Sequence, residues 1–357
     1  MGNIYDAIVV GAGPAGSMAA YTAARLGLRV LIIDRFRFPR IKPCGGGLTQ
    51  KSVTLLHSVG IDVEPVIRDS CGRVVLVNNA GSFVITSDEP IISVVSRDEF
   101  DNYLLTKALD EGVDYVVDRV VAVHNDGDWV SVIGMNNTYV GKYVIAADGV
   151  NSVIAKGLGN NIRKGVAIAF MTIAHGEHLS DVCVLDMTRA RWGYSWVFPR
   201  GGNEYDVGIG SLQWGDYRQR LIEYVNTLKM KMGAVLGHPI PIRHRDRIVI
   251  KRIALVGDAG GFADPTTGEG IFYAMYTGIA AALALGKSRA SGEFAGNYLR
   301  LVRPLIRNLS LAYYISLGTY GIDNLVMGRL GVTAFSMIDT GNLIKKVMGV
   351  RFGILKQ

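Results

Sequence analysis

Residues 4–34 read IYDAIVVGAGPAGSMAAYTAARLGLRVLIID and predict a strand, a glycine-rich turn, a helix and a second strand in immediate succession. The apolar run before the glycines is typical of a buried strand, and the alanine-rich stretch after them has the apolar spacing of a helix. The second strand, RVLIID, ends at Asp34. This order defines a βαβ unit, so we expect a parallel, doubly wound sheet.

The turn GAGPAG carries the spacing that binds a dinucleotide. Gly11 permits the tight turn, Gly13 lets a pyrophosphate approach the backbone, and Gly16 allows the helix to pack closely on the strand. The helix N-terminus offers free N–H groups to phosphate, and Asp34 lies where a carboxylate accepts from ribose hydroxyls. A glycine-rich turn that only packs a helix is the alternative, but the complete βαβ context favours a dinucleotide.

Two later apolar strands also end in an acid. The strand YVIAADG ends at Asp148 and Gly149, and the strand IALVGD ends at Gly257 and Asp258. Because the carboxyl ends of parallel strands meet at the ligand crevice of a doubly wound sheet, we expect both acids to lie there. Each acid by itself could instead cap a helix.

The composition indicates an unusually apolar protein without a membrane span. The chain of 357 residues suffices for two domains or for one large interleaved body. Its mean hydropathy is +0.24, yet no run reaches the roughly 18 apolar residues that a spanning helix needs. The nearest stretch, residues 309–322, is too short. The N-terminus enters a strand at once, so we expect no signal peptide and predict a cytoplasmic protein.

The net charge of +7 suits nucleic acid, an anionic membrane surface or an anionic cofactor as a partner. No basic run with interleaved aromatic residues is present in the sequence, so nucleic acid is the least favoured. The cysteines Cys44, Cys71 and Cys183 show no metal-ligand spacing, and we expect no metal site. Their odd, sparse count predicts a reducing compartment, with Cys71 and Cys183 as core or surface residues.

The stretch YSWVFPRGGNEYDVGIG, residues 194–210, predicts two strands with an aromatic face. Tyr194, Trp196 and Phe198 alternate, which places their rings on one face of a strand. Such a panel serves either as ordinary sheet core or as the wall of a site for an apolar molecule.

These elements together match the FAD-dependent family that includes the aromatic hydroxylases. The stretch RIKPCGGGLT, residues 40–49, and the pattern Tyr-x-Trp-x-Phe-Pro followed by Gly-x-Gly further resemble the geranylgeranyl reductase family, which includes archaeal digeranylgeranylglycerophospholipid reductases. The resemblance extends from GAGPAG to about residue 290. It implies an α/β fold with a doubly wound, Rossmann-type FAD-binding domain, an antiparallel β substrate domain and a helical C-terminal region.

The resemblance also implies the site residues. The implied FAD-binding residues are Gly11, Gly13, Pro14, Ala15, Gly16, Asp34, Arg35, Cys44, Gly45, Gly47, Arg97, Val121, Asp148, Gly149, Gly257, Asp258, Pro265, Gly268, Gly270 and Ile271. The implied lipid-binding residues are Tyr194, Trp196, Phe198, Pro199, Gly208 and Gly210. Cys44 is the implied catalytic residue, either donating a proton or positioning the flavin ring; its alternative role is that of a small buried residue. The alternative for Arg97 is that it is a surface arginine at the start of a helix.

The implied chemistry is saturation of isoprenoid double bonds by reduced FAD. Hydride from flavin N5 reaches one carbon, an acid protonates the other, and the protein orients the chain and excludes water. Because no second GxGxxG is present in the sequence, the electron donor, NAD(P)H or reduced ferredoxin, is expected to bind transiently. Two departures are that Asp34 replaces the glutamate of many FAD proteins and that the chain is short for the family.

The predicted domain organisation is discontinuous. The FAD-binding domain takes residues 1–70, 95–160 and 247–290, and the substrate sheet takes 71–94 and 161–246. A hairpin is expected around Asn79-Ala80-Gly81, and a meander from residue 117 to residue 144. Residues 291–357 are expected to be helical, either as a cap in peripheral contact with a membrane surface or as a buried helix pair.

Two other functions remain open from the sequence. One is a flavin monooxygenase acting on an aromatic or quinone substrate. The other is a non-catalytic prenyl-binding protein of the GDP-dissociation-inhibitor type, which shares the architecture. The YxWxFP pattern argues against the first, and the complete set of FAD elements argues against the second. A related motif with tryptophan first occurs in flavin halogenases, but no lysine is placed convincingly for halide chemistry.

Overall fold

The computed structural model describes residues 4–79, 81–160, 165–177, 181–291 and 293–321, which form two large sheets, one small sheet and a helical layer. The helices are α1 Pro14–Arg25, α2 Gln50–Ser58, α3 Arg97–Asp110, α4 Val153–Gly157, α5 Tyr217–Thr227, α6 Gly257–Gly260, α7 Ile271–Ser291 and α8 Phe294–Gly321, with one 3-10 turn at Glu64–Val66. The strands are β1 Tyr5–Val10, β2 Val30–Asp34, β3 Gly47–Thr49, β4 Ile67–Cys71, β5 Arg73–Asn78, β6 Gly81–Thr86, β7 Ile92–Val95, β8 Asp114–Val117, β9 Val120–Asn125, β10 Val130–Gly134, β11 Thr138–Ala146, β12 Val166–His175, β13 Val182–Asp186, β14 Gly193–Pro199, β15 Glu204–Ser211, β16 Lys231–Met232, β17 Leu236–Pro241, β18 Val249–Ile250 and β19 Ile253–Leu255.

The first large sheet has the order β18-β19-β11-β1-β2-β8. Strands β19, β11, β1, β2 and β8 run parallel, as the apolar runs and the crossover through α1 predict. The predicted meander is present as β9, β10 and β11, which pair antiparallel. Because β1 lies between β2 and β11, the carboxyl ends of three parallel strands meet around the glycine-rich turn. The predicted doubly wound fold class is confirmed.

Helices α1, α3 and α7 cover one face of this sheet and share its main core with the strands. Helix α7 is apolar all round and buried from Ile271 to Leu285, as expected of a helix enclosed in a core. It crosses α1 at very short range. A Cβ added to Gly278 would lie 2.1 Å from the carbonyl oxygen of Ala15. Because Gly278 has no side chain, α7 can lie this close to the first turn of α1.

The second large sheet has the order β16-β12-β15-β14-β13-β5-β6, with β17 also paired to β12. Its pairs are antiparallel except for β13 and β5. Strands β5 and β6 form the predicted hairpin, with Asn78 opposite Gly81. Helix α5 covers one face through Tyr217, Leu221 and Tyr224. The other face carries the aromatic side chains of β14. The small third sheet has the order β3-β7-β4, and its strand β3 begins at the end of the cysteine segment, defined here as residues 43–47.

Two cysteines require a correction. Cys71 and Cys183 are fully buried and form a disulfide across 112 residues of sequence. Both are core residues, but the cysteine count does not indicate a reducing compartment, because only Cys44 is free among the cysteines. The disulfide can form because β13, which carries Cys183, lies beside β5, which begins two residues after Cys71. In this strand pair Cys183 is opposite Val74. A parallel pairing between distant strands leaves no local trace in the sequence.

The C-terminal helix α8 agrees with the expected helical region as far as Gly321; the rest of that region lies outside the described residues. Within the described part of the chain, no helix is long and apolar enough to cross a membrane. The domain boundaries and the peripheral membrane contact stay predictions.

We expect Gly278→Ala to destabilise the protein by about 1–3 kcal/mol, because the added methyl group meets backbone that must shift. Gly296→Ala, in α8 with nothing within 4 Å of the added Cβ, is the matched control and should be neutral or stabilising by about 0.5–1 kcal/mol. Denaturant unfolding of both variants measures the difference. Equal stabilities would show that α1 and α7 are not held at this distance.

Candidate active site

The glycine-rich turn brings the ends of β1, α1 and β11 together. Gly11 has a φ of 101°, and a Cβ there would lie 2.3 Å from the carbonyl oxygen of Ala147. A Cβ on Gly16 would lie 1.8 Å from the carbonyl oxygen of Gly11. Pro14 and Ala15 form the first turn of α1, where proline costs no hydrogen bond. The first N–H groups of α1 thus face the carboxyl edge of the sheet.

Arg40 lies over this helix start. Its Nη2 is 3.5 Å from the position of a Cβ on Gly13 and 3.1 Å from an oxygen of Asp101. Its Nη1 is buried and has no hydrogen-bond partner among the described residues. A buried guanidinium donor without a partner is costly unless an anion accepts from it. The helix start and Arg40 therefore fit the pyrophosphate of a dinucleotide, although no sequence signal pointed to Arg40.

Asp34 shapes the same turn. Its carboxylate is buried and accepts from the N–H groups of Ala12 at 2.7 Å and Phe36 at 2.9 Å. Arg35 is exposed and stacks on Phe36, and Val121, on β9, is 46% exposed. The contacts of Asp34, Arg35 and Val121 with the cofactor stay predictions.

The two acids that follow later parallel strands, Asp148 and Asp258, differ in their contacts. Asp148 Oδ2 accepts from the N–H groups of Val153 and Ile154, so this carboxylate does cap α4. Burial raises the pKa of Asp148, and its Oδ1 has no hydrogen-bond partner in the described part of the chain. Gly149 follows with a φ of 78°. A cofactor contact of Asp148 stays a prediction beside the observed capping role.

Asp258 is the second residue of α6 and follows Gly257, which has a φ of 52°. Its Oδ1 is 3.6 Å from the position of a Cβ on Gly270, so Asp258 faces the loop that the sequence assigned to the flavin. Arg245, only 3% exposed, holds α6 in place by donating to the carbonyls of Ala259 and Val150.

A cluster of cations surrounds Cys44. Arg97 is buried and donates two 2.8 Å hydrogen bonds to Asp101, the acid that Arg40 also contacts. It is therefore not a surface arginine. Burial disfavours the charge of Arg97, but Asp101 and Cys44 outweigh burial and raise its pKa. Burial and the charge of Arg97 lower the pKa of Lys42 to about 8.

His238, on β17, meets the same cluster from the second sheet. Burial, followed by the charges of Lys42 and Arg97, lowers its pKa to about 3, so the imidazole is neutral near pH 7. Positive charges thus exceed negative ones where the two large sheets meet, which suits an anionic ligand. Neither Lys42 nor His238 carries a motif in the sequence.

The cysteine segment packs directly on the aromatic strand. A Cβ on Gly45 would lie 2.8 Å from Trp196 Nε1, and one on Gly47 would lie 3.1 Å from Phe198 Cε2. Cys44 is half-buried, and its sulfur accepts from the N–H of Gly46 at 3.5 Å. Gly45 and Gly47 have no space for a side chain because the rings occupy it, whereas a Cβ on Gly46 would lie 2.2 Å from the Val95 carbonyl oxygen. The two motifs that carried the resemblance are therefore parts of one site.

The aromatic panel, defined here as Tyr194, Trp196 and Phe198, lies on one face of β14 as predicted. Trp196 is 7% exposed, and the other two rings are half-buried. Gly208 is opposite Trp196 on β15, where a Cβ would lie 2.0 Å from the indole ring, and Gly210 is opposite Tyr194. The face continues with the apolar side chains of Ala169, Met171, Ile173, Leu185, Leu236 and Ile240. Pro199, at the end of β14, is buried.

The loop before α7 is fixed by a polar network. The Asp264 carboxylate accepts from the N–H groups of Thr266 and Thr267. Glu269 accepts from Lys51 Nζ and from Thr49 Oγ1, both at 2.6 Å. Pro265 is buried and Gly268 has a φ of 69°. The network therefore presents Gly270 and the N-terminus of α7 in one conformation.

The panel touches this loop, because the Tyr194 hydroxyl donates to the carbonyl of Thr267. Ile271, the first residue of α7, is buried. Lys51 and Glu269 carried no recognisable motif; their pairing joins α2 to a loop more than 200 residues away, which only the fold shows.

Comparison with known proteins identifies the family of this chain. The FAD binding domain family matches residues 4–197. The chain is 33% identical to menaquinone reductase of Mycobacterium tuberculosis, over 78% of this chain and 75% of that protein. It is 30% identical to digeranylgeranylglycerophospholipid reductase of Methanocaldococcus jannaschii, over 84% and 81%. A geranylgeranyl bacteriochlorophyll reductase-like structure from Thermoplasma acidophilum superimposes with a TM-score of 0.83 at 22% identity, covering 99% of this chain and 98% of that one.

The fold and site thus define an FAD-dependent oxidoreductase, and the chain belongs to the FAD binding domain family. Within that family its relatives include the geranylgeranyl-lipid reductases, as the sequence motifs predicted. The open start of α1 and the unpartnered Arg40 donor fit FAD as the dinucleotide.

We expect Arg40→Ala to weaken FAD binding on the order of 10- to 150-fold, since a hydrogen bond to a charged group contributes about 1.5–3 kcal/mol. Asp258→Ala should also lose flavin while staying folded. Arg37→Ala, an exposed arginine of the same segment, is the control. Titration of the apoprotein with FAD measures all three affinities. Arg40 has no role in holding the cofactor if its variant binds FAD as tightly as the Arg37 variant.

Proposed function

We propose that the protein uses FAD to saturate carbon–carbon double bonds of geranylgeranyl chains, on ether lipid precursors of the archaeal type. The contact between the cysteine segment and the aromatic panel carries this proposal. It places an apolar face directly beside the residues that fit FAD. An enzyme for a small polar substrate has no use for such a face, whereas an isoprenoid chain is bound by apolar contact.

The panel and its neighbours bind the chain. Burial of an isoprenoid contributes about 0.8 kcal/mol per CH2 group, and the same contacts exclude water. Gly45 and Gly208 leave room for the Trp196 ring, which is thereby held in place as a wall for the chain. Bound FAD, once reduced by NAD(P)H or ferredoxin, supplies hydride. The N-terminus of α7 presents positive dipole charge to the site.

Cys44 is the proposed proton donor. Its thiol lies beside Arg97 and next to Gly45, which touches the panel. A proton held there is close to any chain lying on Trp196. The other role, positioning of the flavin ring, uses the same location.

The reaction is tested by product mass. Anaerobic, reduced holoprotein is mixed with a digeranylgeranyl glycerophospholipid or with menaquinone, the molecules for which the two relatives are named. A product saturated in its isoprenoid chain is heavier by two hydrogens for each reduced bond and keeps them in air, whereas a quinol gains the same mass but is reoxidised to the quinone. A product heavier by one oxygen, formed only in air, would instead establish a monooxygenase. No product from either compound would refute the proposal.

We expect Cys44→Ser to keep FAD absorbance but to slow the anaerobic reoxidation of reduced flavin by the isoprenoid, on the order of 100-fold, as is typical for loss of a general acid. The reason is that a serine hydroxyl is a much weaker acid than a thiol. Stopped-flow absorbance measures the rate. An unchanged rate would leave Cys44 with a structural role only.

We expect Trp196→Ala to weaken chain binding by about 1–3 kcal/mol, or roughly 5- to 150-fold. A geranylgeranyl chain should lose more affinity than a geranyl chain, because the shorter chain need not reach the whole panel. Trp214→Ala, at a tryptophan that is 95% exposed, is the control. FAD content should not change. Equal losses for both chain lengths would mean that the rings are only sheet core.

A further inference from the structure

A buried acid lies among the apolar residues beside the panel. Asp206, on β15, is 0% exposed and stands opposite Phe198 on one side and Ile173 on the other. Its Oδ1 accepts a 2.9 Å hydrogen bond from Trp196 Nε1. Its Oδ2 is buried with no hydrogen-bond partner among the described residues. A carboxylate in this setting is costly, so its presence calls for a role.

The charges around Asp206 do not neutralise it. Arg200 is the one charged group that acts on it appreciably within the described chain, and no ion pair within 4.0 Å joins the two there. Arg200 instead donates to Ser96 Oγ at 2.9 Å. Burial raises the pKa of Asp206 to about 7, while the Trp196 N–H and Arg200 act in the opposite direction. The carboxyl therefore changes charge near neutral pH.

The hydrogen bond also connects Asp206 to the cysteine segment. Trp196 Nε1, the donor to Asp206, is the atom that lies closest to the Cβ position of Gly45. The orientation of the indole edge beside Cys44 is thus set by the carboxyl behind it.

We propose that Asp206 positions Trp196 and couples the binding of an apolar chain on the panel to the uptake of one proton. This inference rests on the proposed function. A chain on the panel replaces the water over this face with hydrocarbon, which further disfavours the ionised form of the buried carboxyl. A proton from solvent adds to Oδ2, no electrons move, and Oδ1 still accepts from Trp196.

The sign of the pH dependence follows from linkage. The isoprenoid chain binds the protein in which Asp206 is protonated. Its affinity is therefore highest below the pKa that Asp206 has in the free protein, and it falls as the pH rises through that pKa. Above about pH 7 the affinity should fall about tenfold per pH unit for a single coupled proton. Because the Trp196 hydrogen bond lowers the pKa of Asp206, its removal should move this fall to higher pH.

The experiment measures the affinity of oxidised, FAD-loaded protein for geranylgeraniol from about pH 6 to about pH 9, where a coupled group with a pKa near 7 changes charge. Wild type should show the fall, Asp206→Asn should lose the part that begins near pH 7 and keep only what Lys42 adds near its pKa of about 8, and Trp196→Phe should shift the fall to higher pH. Glu204→Gln, which removes an acid of the same strand that is 41% exposed, is the control and should behave as wild type.

The outcomes separate the two proposals. Binding in wild type without pH dependence, or the same dependence in Asp206→Asn, overturns the role of Asp206 and leaves the proposed function standing. Absence of geranylgeraniol binding at every pH overturns the proposed function, and the coupling with it.

Discussion

Gly11 and Gly16, at either end of the turn between β1 and α1, have no space for a side chain, and the rest of the site depends on that constraint. A Cβ on Gly16 would lie 1.8 Å from the Gly11 carbonyl oxygen, so the helix begins almost in contact with the strand before it. This closeness places the free N–H groups of α1 at the carboxyl edge of the sheet. Helix α7 then packs on α1 through Gly278, and the loop that precedes α7 is carried to the same edge.

Basic side chains add to the anion-binding character of the α1 N-terminus. Asp101 alone serves both Arg40 and Arg97, while Lys42 and His238 add further basic groups to the same space. Burial lowers the pKa values of Lys42 and His238, and the positive charge of Arg97 lowers both further. An anionic dinucleotide would offset the positive charge of this cluster, so the same basic groups favour cofactor binding.

The second large sheet carries the features that distinguish this site from other sites built on the same fold. Folds of this class host many reactions, and the site rather than the fold distinguishes them. Here the distinguishing features are the aromatic panel, the glycines that make room for its rings, and the cysteine segment packed against it. They offer apolar contact along the sheet, and the ionisable side chains Asp206 and His238 lie on the same face. Such a face favours apolar over polar contact and makes each acid or base near it unusually sensitive to water.

The sequence by itself determined the parts of the protein that rest on local periodicity and turn chemistry. The βαβ unit, the β5–β6 hairpin, the meander and the alternating rings of β14 were all predicted, because each depends on neighbouring residues. Only the tertiary structure showed the Cys71–Cys183 disulfide, the Lys51–Glu269 pair, the placement of Arg40 over α1 and the burial of Asp206. These features join segments that lie far apart in the chain or depend on what covers a side chain. They follow from strand order and packing, which no short stretch of sequence encodes.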